Sequence, residues 1–235
     1  GSHDDSDHVY NTPRAWFMER YLNPHTYKWD GEQADYTPAS DDIPWCLKPE
    51  KKVTIEDVKY VLSAHFQGTP YDPYASYGDK SMKGAYRAIG VNRTDFLGII
   101  QMRPDAGEDS RAIEWVAFAS NVFNTAAPFY IDVEKVPEYF SNTTGDASTD
   151  NFYWASRMIA AMADASYKNS IFHIERYQEC VMSKGHQLIG KYDALLEKES
   201  DAAKRMSLRH QANQEIADMV KKEASDTLNK VLYEL

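Results

Sequence analysis

The chain has 235 residues, 43% of them hydrophobic and 13% aromatic, which excludes a disordered polypeptide and gives enough length for one large domain or one and a half ordinary ones. A formal net charge of −10 and an isoelectric point near 5.2 argue against a nucleic-acid or anionic-membrane surface as partner. Two distant cysteines, Cys46 and Cys180, exclude a disulfide framework and point to a cytoplasmic, reducing compartment, and no apolar run reaches the roughly 20 residues of a membrane-spanning helix.

Residues 4–12 read as a short extended segment stopped by Pro13, followed by a helix over Ala15 to Leu22 that Asn23-Pro24 ends. From Thr26 to Pro49 there is no period, only Pro, Asp, Gly and aromatic residues, so a long loop is predicted. "TIEDVKYVLSAHF" predicts a helix capped by Thr54 with Asp57 three positions on, an inward face of Ile55, Val58, Val61 and Leu62, and a stop at Gly68. The Tyr-rich stretch "GTPYDPYASYG" reads as a loop that either lines a pocket or packs its rings beneath itself.

Four strand-like runs follow: "YRAIGVNRT", "FLGIIQMR", "AIEWVAFAS" and "PFYIDV", separated by turn chemistry such as "PDAGEDS". Beyond Asp150 the pattern is helical. "TDNFYWASRMIAAMADASYK" offers Asp150 or Ser148 as cap, and two long amphipathic helices complete the chain. Their charges read as solvated faces and their apolar stripes as surfaces for the sheet or a partner subunit. The fold class is therefore α+β, a meander of antiparallel strands covered by helices. Residues 1–168 are expected to form the main domain and 169–235 a helical extension.

Histidines 65, 173, 186 and 210 sit singly, without metal-ligand spacing, so no metal is expected. No phosphate-binding glycine loop follows a strand and no nucleophile elbow occurs. Cys46, between Pro44 and Pro49, has no histidine at a suggestive spacing and reads as a packed, inert thiol; Cys180, mid-helix, reads as structural. Asn11, beside the end of the first extended segment, has an amide that could donate to an oxyanion, although Asn before Thr-Pro is also an ordinary turn residue. Arg93, at the end of an apolar strand, could hold a carboxylate or a developing negative charge, or be a surface side chain beside a turn.

Taken in order, "DHVYNTPRAWFMERYLNP", "IPWCLKPEKKVTIEDVKYVLSAHFQGTPYDPY", "YRAIGVNRT" and "STDNFYWASRMIAAMADASY" resemble the cysteine dipeptidases of the dipeptidase A type, which are N-terminal-nucleophile hydrolases. With their surroundings these strings cover nearly all of residues 4–190. More distantly, "YNTPRAW" and "VNRT" are similar to motifs of penicillin and bile-salt amide hydrolases. The resemblance implies an αββα sandwich and hydrolysis of dipeptides without metal or organic cofactor. It assigns Asn11 as oxyanion donor and Arg93 as electrostatic partner of the nucleophile. His65, Tyr71 and Asp72 are expected to line the substrate pocket.

The resemblance also implies a mature N-terminal cysteine nucleophile, and Gly1 stands at that end here. The chain is accordingly expected to be the C-terminal half of such an enzyme, produced by proteolysis or engineering, inactive alone and lacking the half that carries the nucleophile. The alternative from another class is a non-catalytic binding or oligomerisation module built on the long C-terminal helices, which could drive homo-oligomer formation in either case.

Overall fold

Two stretches of sequence condense separately in the computed structural model, which describes residues 4–235: a first unit ending at Val91, and a second, Asn92–Leu235. The boundary expected at residue 168 falls inside the second unit, close to the start of its first long helix.

In the first unit the Asp4 carboxylate accepts the Ser6 backbone N–H at 2.9 Å, and the Asp7 N–H donates to the Asp4 carbonyl at 2.9 Å. This turn starts helix α1 (Asp7–Tyr10), and Asn11 links it directly to α2 (Thr12–Leu22). The extended segment predicted for 4–12 is thus corrected. Pro13 lies in the first turn of α2, where its missing N–H would have had no helical partner, so Thr12-Pro13 begins a helix instead of stopping a strand.

Helix α3 (Ile55–Leu62) carries the predicted capping box: the Thr54 hydroxyl accepts from the Asp57 N–H, and the Asp57 carboxylate accepts from the Thr54 N–H at 2.9 Å. It ends earlier than predicted, at Leu62 rather than near Gly68, because Phe66 turns to φ +66 and enters the core. Its buried positions are Asp57, Lys59 and Val61; the expected inward residues Ile55, Val58 and Leu62 are only half-buried.

The predicted long loop is irregular and packs by its aromatic rings. Trp16, Phe17, Trp29, Ala64 and Phe66 form the buried core of this unit, with Tyr27, Tyr36, Tyr71 and Tyr86 against it. "YRAIGVNRT" is not a strand: Arg87 N–H donates to the Val9 carbonyl at 3.0 Å and Gly90 N–H to the Ala64 carbonyl at 2.9 Å, single bonds to different elements rather than a ladder. A side chain at Gly90 would put Cβ 2.4 Å from the Ser63 carbonyl oxygen, so only glycine permits this approach.

The second unit holds an antiparallel sheet of β1 (Phe96–Met102), β2 (Ala112–Phe118) and β3 (Ala127–Tyr130) in that order, three of the four predicted runs. Register pairs Phe96 with Phe118, Met102 with Ala112, and Ile113 with Tyr130. The alternation on β2 sends Ile113, Trp115 and Ala117 into the core. After a short α4 (Glu138–Ser141) come α5 (Phe152–Ala165), α6 (Tyr167–Leu196) and α7 (Ala202–Tyr233). Asn151, rather than Asp150 or Ser148, caps α5 by accepting the Trp154 N–H at 2.9 Å.

Helices α6 and α7 pack on each other and on β3, burying Ile174, Val181 and Ile189 from one and Ile216, Val220 and Val231 from the other. Gly185 lets α6 close on the sheet, since a Cβ there would lie 2.7 Å from the Pro128 ring. Polar ties fix the same contact. The Tyr130 hydroxyl donates to the Asp193 carboxylate at 2.8 Å, which Arg103 also grips. Arg205 and Arg209 of α7 hold Asp109 of the β1–β2 connection.

Candidate functional site

Asn11 sits at the junction of α1 and α2 rather than at a strand end, and its amide is held from both sides. Nδ2 donates to the Asp7 carboxylate at 2.5 Å, while Oδ1 accepts from the Arg14 guanidinium at 2.7 Å. The spacing is helical: Asp7, Asn11 and Arg14 stand four and three residues apart and so share one face. A charged donor on Oδ1 fixes the amide orientation. Nδ2 carries two N–H groups, and Asp7 takes one.

This amide lines a cleft of about 600 Å³ within the first unit, together with Asp7, His8, Glu19, Asp41 and Trp45. The walls are acidic. His8 Nε2 lies 2.6 Å from the Asp41 carboxylate, a hydrogen bond that raises the imidazole pKa above its usual value. Burial likewise raises the Glu19 carboxyl, whose Oε2 is enclosed without a hydrogen-bond partner among the described residues. Trp45 is 94% exposed. Neighbouring Cys46 is exposed as well, so the expectation of a packed thiol is corrected: in this segment Leu47, and not the thiol, packs against the aromatic core.

His65, Tyr71 and Asp72 also belong to the first unit, and the structure brings His65 and Asp72 together. His65 Nδ1 lies 2.9 Å from the Asp72 carboxylate, each side chain 9% exposed, and the same carboxylate oxygen accepts the Tyr74 N–H at 2.9 Å. The Tyr74 ring packs edge-on to the imidazole. Tyr71 packs edge-on to Trp16 and against Tyr86. Beside this pair, Phe66 holds its left-handed backbone, a costly conformation for a bulky residue that its burial in the aromatic core maintains.

Arg93 belongs to the second unit. It is exposed on the turn before β1, not at a strand end, since its segment forms no strand; no other described residue forms an ion pair with it. Sequence reasoning missed Glu19 and the His8–Asp41 pair, and it missed Lys59. That lysine is 4% exposed, donates to the Ser63 hydroxyl at 2.6 Å, and has its pKa pushed down to about 7 by burial. The signal was present: Lys59 stands four residues from Ile55 and three from Leu62, on the helical face that carries the apolar stripe. Among the described residues, no three His, Cys, Asp or Glu side chains gather so as to hold a metal ion. Among the described residues, no helix is long and apolar enough to cross a membrane.

Residues 1–180 match the family described as Peptidase family C69. The chain is 53% identical over 193 residues to a dipeptidase of Bifidobacterium longum (strain NCC 2705), a match covering 82% of this chain and 36% of that protein. It is 42% identical over 234 residues to a probable dipeptidase A of Streptococcus pyogenes serotype M18, covering all of this chain and 47% of that protein. With dipeptidase A of Lactobacillus helveticus the identity is 30% over 230 residues, or 97% of this chain and 42% of the relative. The chain thus spans less than half the length of these relatives. A family match over three quarters of its residues, carried through the Asn11 cleft and the whole aromatic unit, decides the assignment: the chain belongs to peptidase family C69.

Proposed function

We propose that this chain is part of a cysteine dipeptidase that hydrolyses dipeptides through a nucleophile lying outside these 235 residues. The observation that carries the reading is the family match, joined to relatives named as dipeptidases that are about twice as long. In the proposed reaction a thiolate attacks the peptide carbonyl carbon, and the carbonyl oxygen becomes an oxyanion. The C–N bond then breaks, the amine leaves with a proton, and water hydrolyses the thioester to release the acid and regenerate the thiol.

Asn11 is the oxyanion donor in this reading. Its support is the clamp of Asp7 and Arg14, which leaves one amide N–H to face developing charge with no reorientation at the moment of reaction. Arg93, a guanidinium without an ion pair among the described residues, serves as the electrostatic partner of the nucleophile. His65, Tyr71 and Asp72 line the substrate pocket in this reading, and the His65–Asp72 hydrogen bond holds the loop that carries Tyr71 and Tyr74. The acidic walls of the Asn11 cleft suit the free ammonium group that every dipeptide presents.

The enclosing fold is taken to be the αββα sandwich, to which this chain contributes helices and an antiparallel sheet. Two unpaired cysteines fit a cytoplasmic enzyme. The alternative, a helical assembly module, loses its main support because α6 and α7 spend their apolar stripes on each other and on the sheet. A homo-oligomer would therefore use other surfaces.

The test is Asn11→Ala in the full-length protein. The variant is expected to lower kcat on dipeptides by about 10²–10³-fold, the range for losing one oxyanion donor. An unchanged kcat would return Asn11 to a purely structural role at the α1–α2 junction.

A further inference from the structure

The sheet of the second unit ends differently on its two sides. At β3 the edge is shut. Asn213 of α7, 1% exposed, accepts the Tyr130 N–H at 3.0 Å and donates its own amide to the Tyr130 carbonyl at 3.0 Å. One side chain there reproduces the paired hydrogen bonds of a neighbouring strand.

At β1 nothing comparable occurs. Its far edge has no strand beside it among the described residues. The sequence of β1, "FLGIIQM", has no charged residue and no proline, the usual guards of an edge that is meant to stay open. Phe96, Ile100 and Met102, on one face of the strand, are 54%, 66% and 62% exposed. An edge that offers unpaired backbone groups beside bare apolar side chains is suited to receive another strand.

The length of the relatives supplies the occupant. This chain accounts for 36% of the Bifidobacterium longum protein and 47% of the Streptococcus pyogenes one, so more than half of each lies outside the match. We propose that β1 is a seam at which a β-strand from the part of the protein outside these 235 residues adds to this sheet. The added strand pairs the open backbone of β1 and shields Phe96, Ile100 and Met102. The proposal rests on the reading of this chain as part of a longer dipeptidase. It goes beyond that reading by locating where the two parts join.

Amide hydrogen exchange resolved residue by residue tests the seam. In an antiparallel strand alternate amides face opposite sides, so an open edge leaves every second amide of residues 96–102 unpaired. In the full-length protein both sets are expected to be protected, with the outward set exchanging about 100-fold or more slower than in the 235-residue chain. Ile100→Asp is expected to lower the unfolding midpoint of the full-length protein while leaving that of the 235-residue chain unchanged.

Fast exchange of the outward amides in the full-length protein would overturn the seam. So would protection that appears in the 235-residue chain and grows with its concentration, which assigns the edge to a second copy. Dipeptide turnover measured on the same full-length sample separates the two claims. Turnover with an open β1 edge overturns the seam alone, whereas a protected edge without turnover supports the seam and overturns the peptidase function.

Discussion

Lys59→Met is expected to stabilise the first unit at neutral pH and to remove most of its pH dependence between pH 7 and 9.5. In the folded chain burial lowers the lysine pKa from 10.5 to about 7, with the side chain 4% exposed and its Nζ on the Ser63 hydroxyl. In the unfolded chain the amine keeps its proton to about pH 10.4. Between these values the unfolded state binds more protons, so stability rises with pH, by at most about 1.4 kcal/mol per pH unit. From pH 7 to 9.5 the gain is about 3 kcal/mol; below pH 7 both states are protonated and the cost of the buried charge is constant. Methionine keeps the length and apolar stem of lysine without the titrating group, so the variant should be more stable at pH 7 and flat across the window. Urea unfolding followed by the fluorescence of buried Trp16 and Trp29 measures both chains. A wild type whose stability does not rise over this range, or a variant that rises equally, would show that Lys59 does not titrate as a buried amine.

Other consequences of the packing are open to the same equilibrium methods. Asn213→Leu leaves the Tyr130 N–H and carbonyl unpaired in the interior and should cost about 2–4 kcal/mol in urea unfolding of the second unit, at one to two kcal/mol for each group. Gly185→Ala drives a methyl group to 2.7 Å from the Pro128 ring and should cost about 1–3 kcal/mol by overpacking, visible as a lower melting temperature, whereas Gly190→Ala, with open space around it in the same helix, should not destabilise. The loss of kcat expected for Asn11→Ala should come without a comparable loss of stability, since Asn11 is exposed and its side chain caps neither α1 nor α2.

Much of the fold was legible because its signals are local. Thr54 and Asp57 announce a capping box, the alternation of Ile113, Trp115 and Ala117 announces a half-buried strand, and the period of the last two helices announces their apolar faces. The failures share a cause, which is that the deciding partner is distant or the residue ambiguous. "YRAIGVNRT" has the composition of a strand, but its backbone groups find Val9 and Ala64 rather than a neighbouring strand, and no local pattern encodes that. Thr-Pro after Asn11 was equally compatible with ending a strand and starting a helix, and Asp4 decided for the helix from outside the motif. The α6 and α7 stripes could have faced another subunit, and only tertiary structure turns them inward.

The site was legible in part. Asn11 and Arg93 were singled out through family resemblance, since spacing alone left each open to an ordinary structural reading. The His65–Asp72 pair lies only seven residues apart, yet its hydrogen bond depends on the turn that Phe66 and Gly68 make with positive φ. Glu19 and the His8–Asp41 pair acquire meaning only from the cleft that folding builds around them.

Dipeptide turnover by the 235-residue chain, measured beside the full-length protein under the same conditions, tests most directly where the nucleophile lies. If the nucleophile lies outside these residues, as proposed, turnover is expected from the full-length protein and none from the 235-residue chain. Turnover by the 235-residue chain that Cys46→Ala abolishes would contradict that placement, and would make the exposed thiol beside Trp45 the nucleophile.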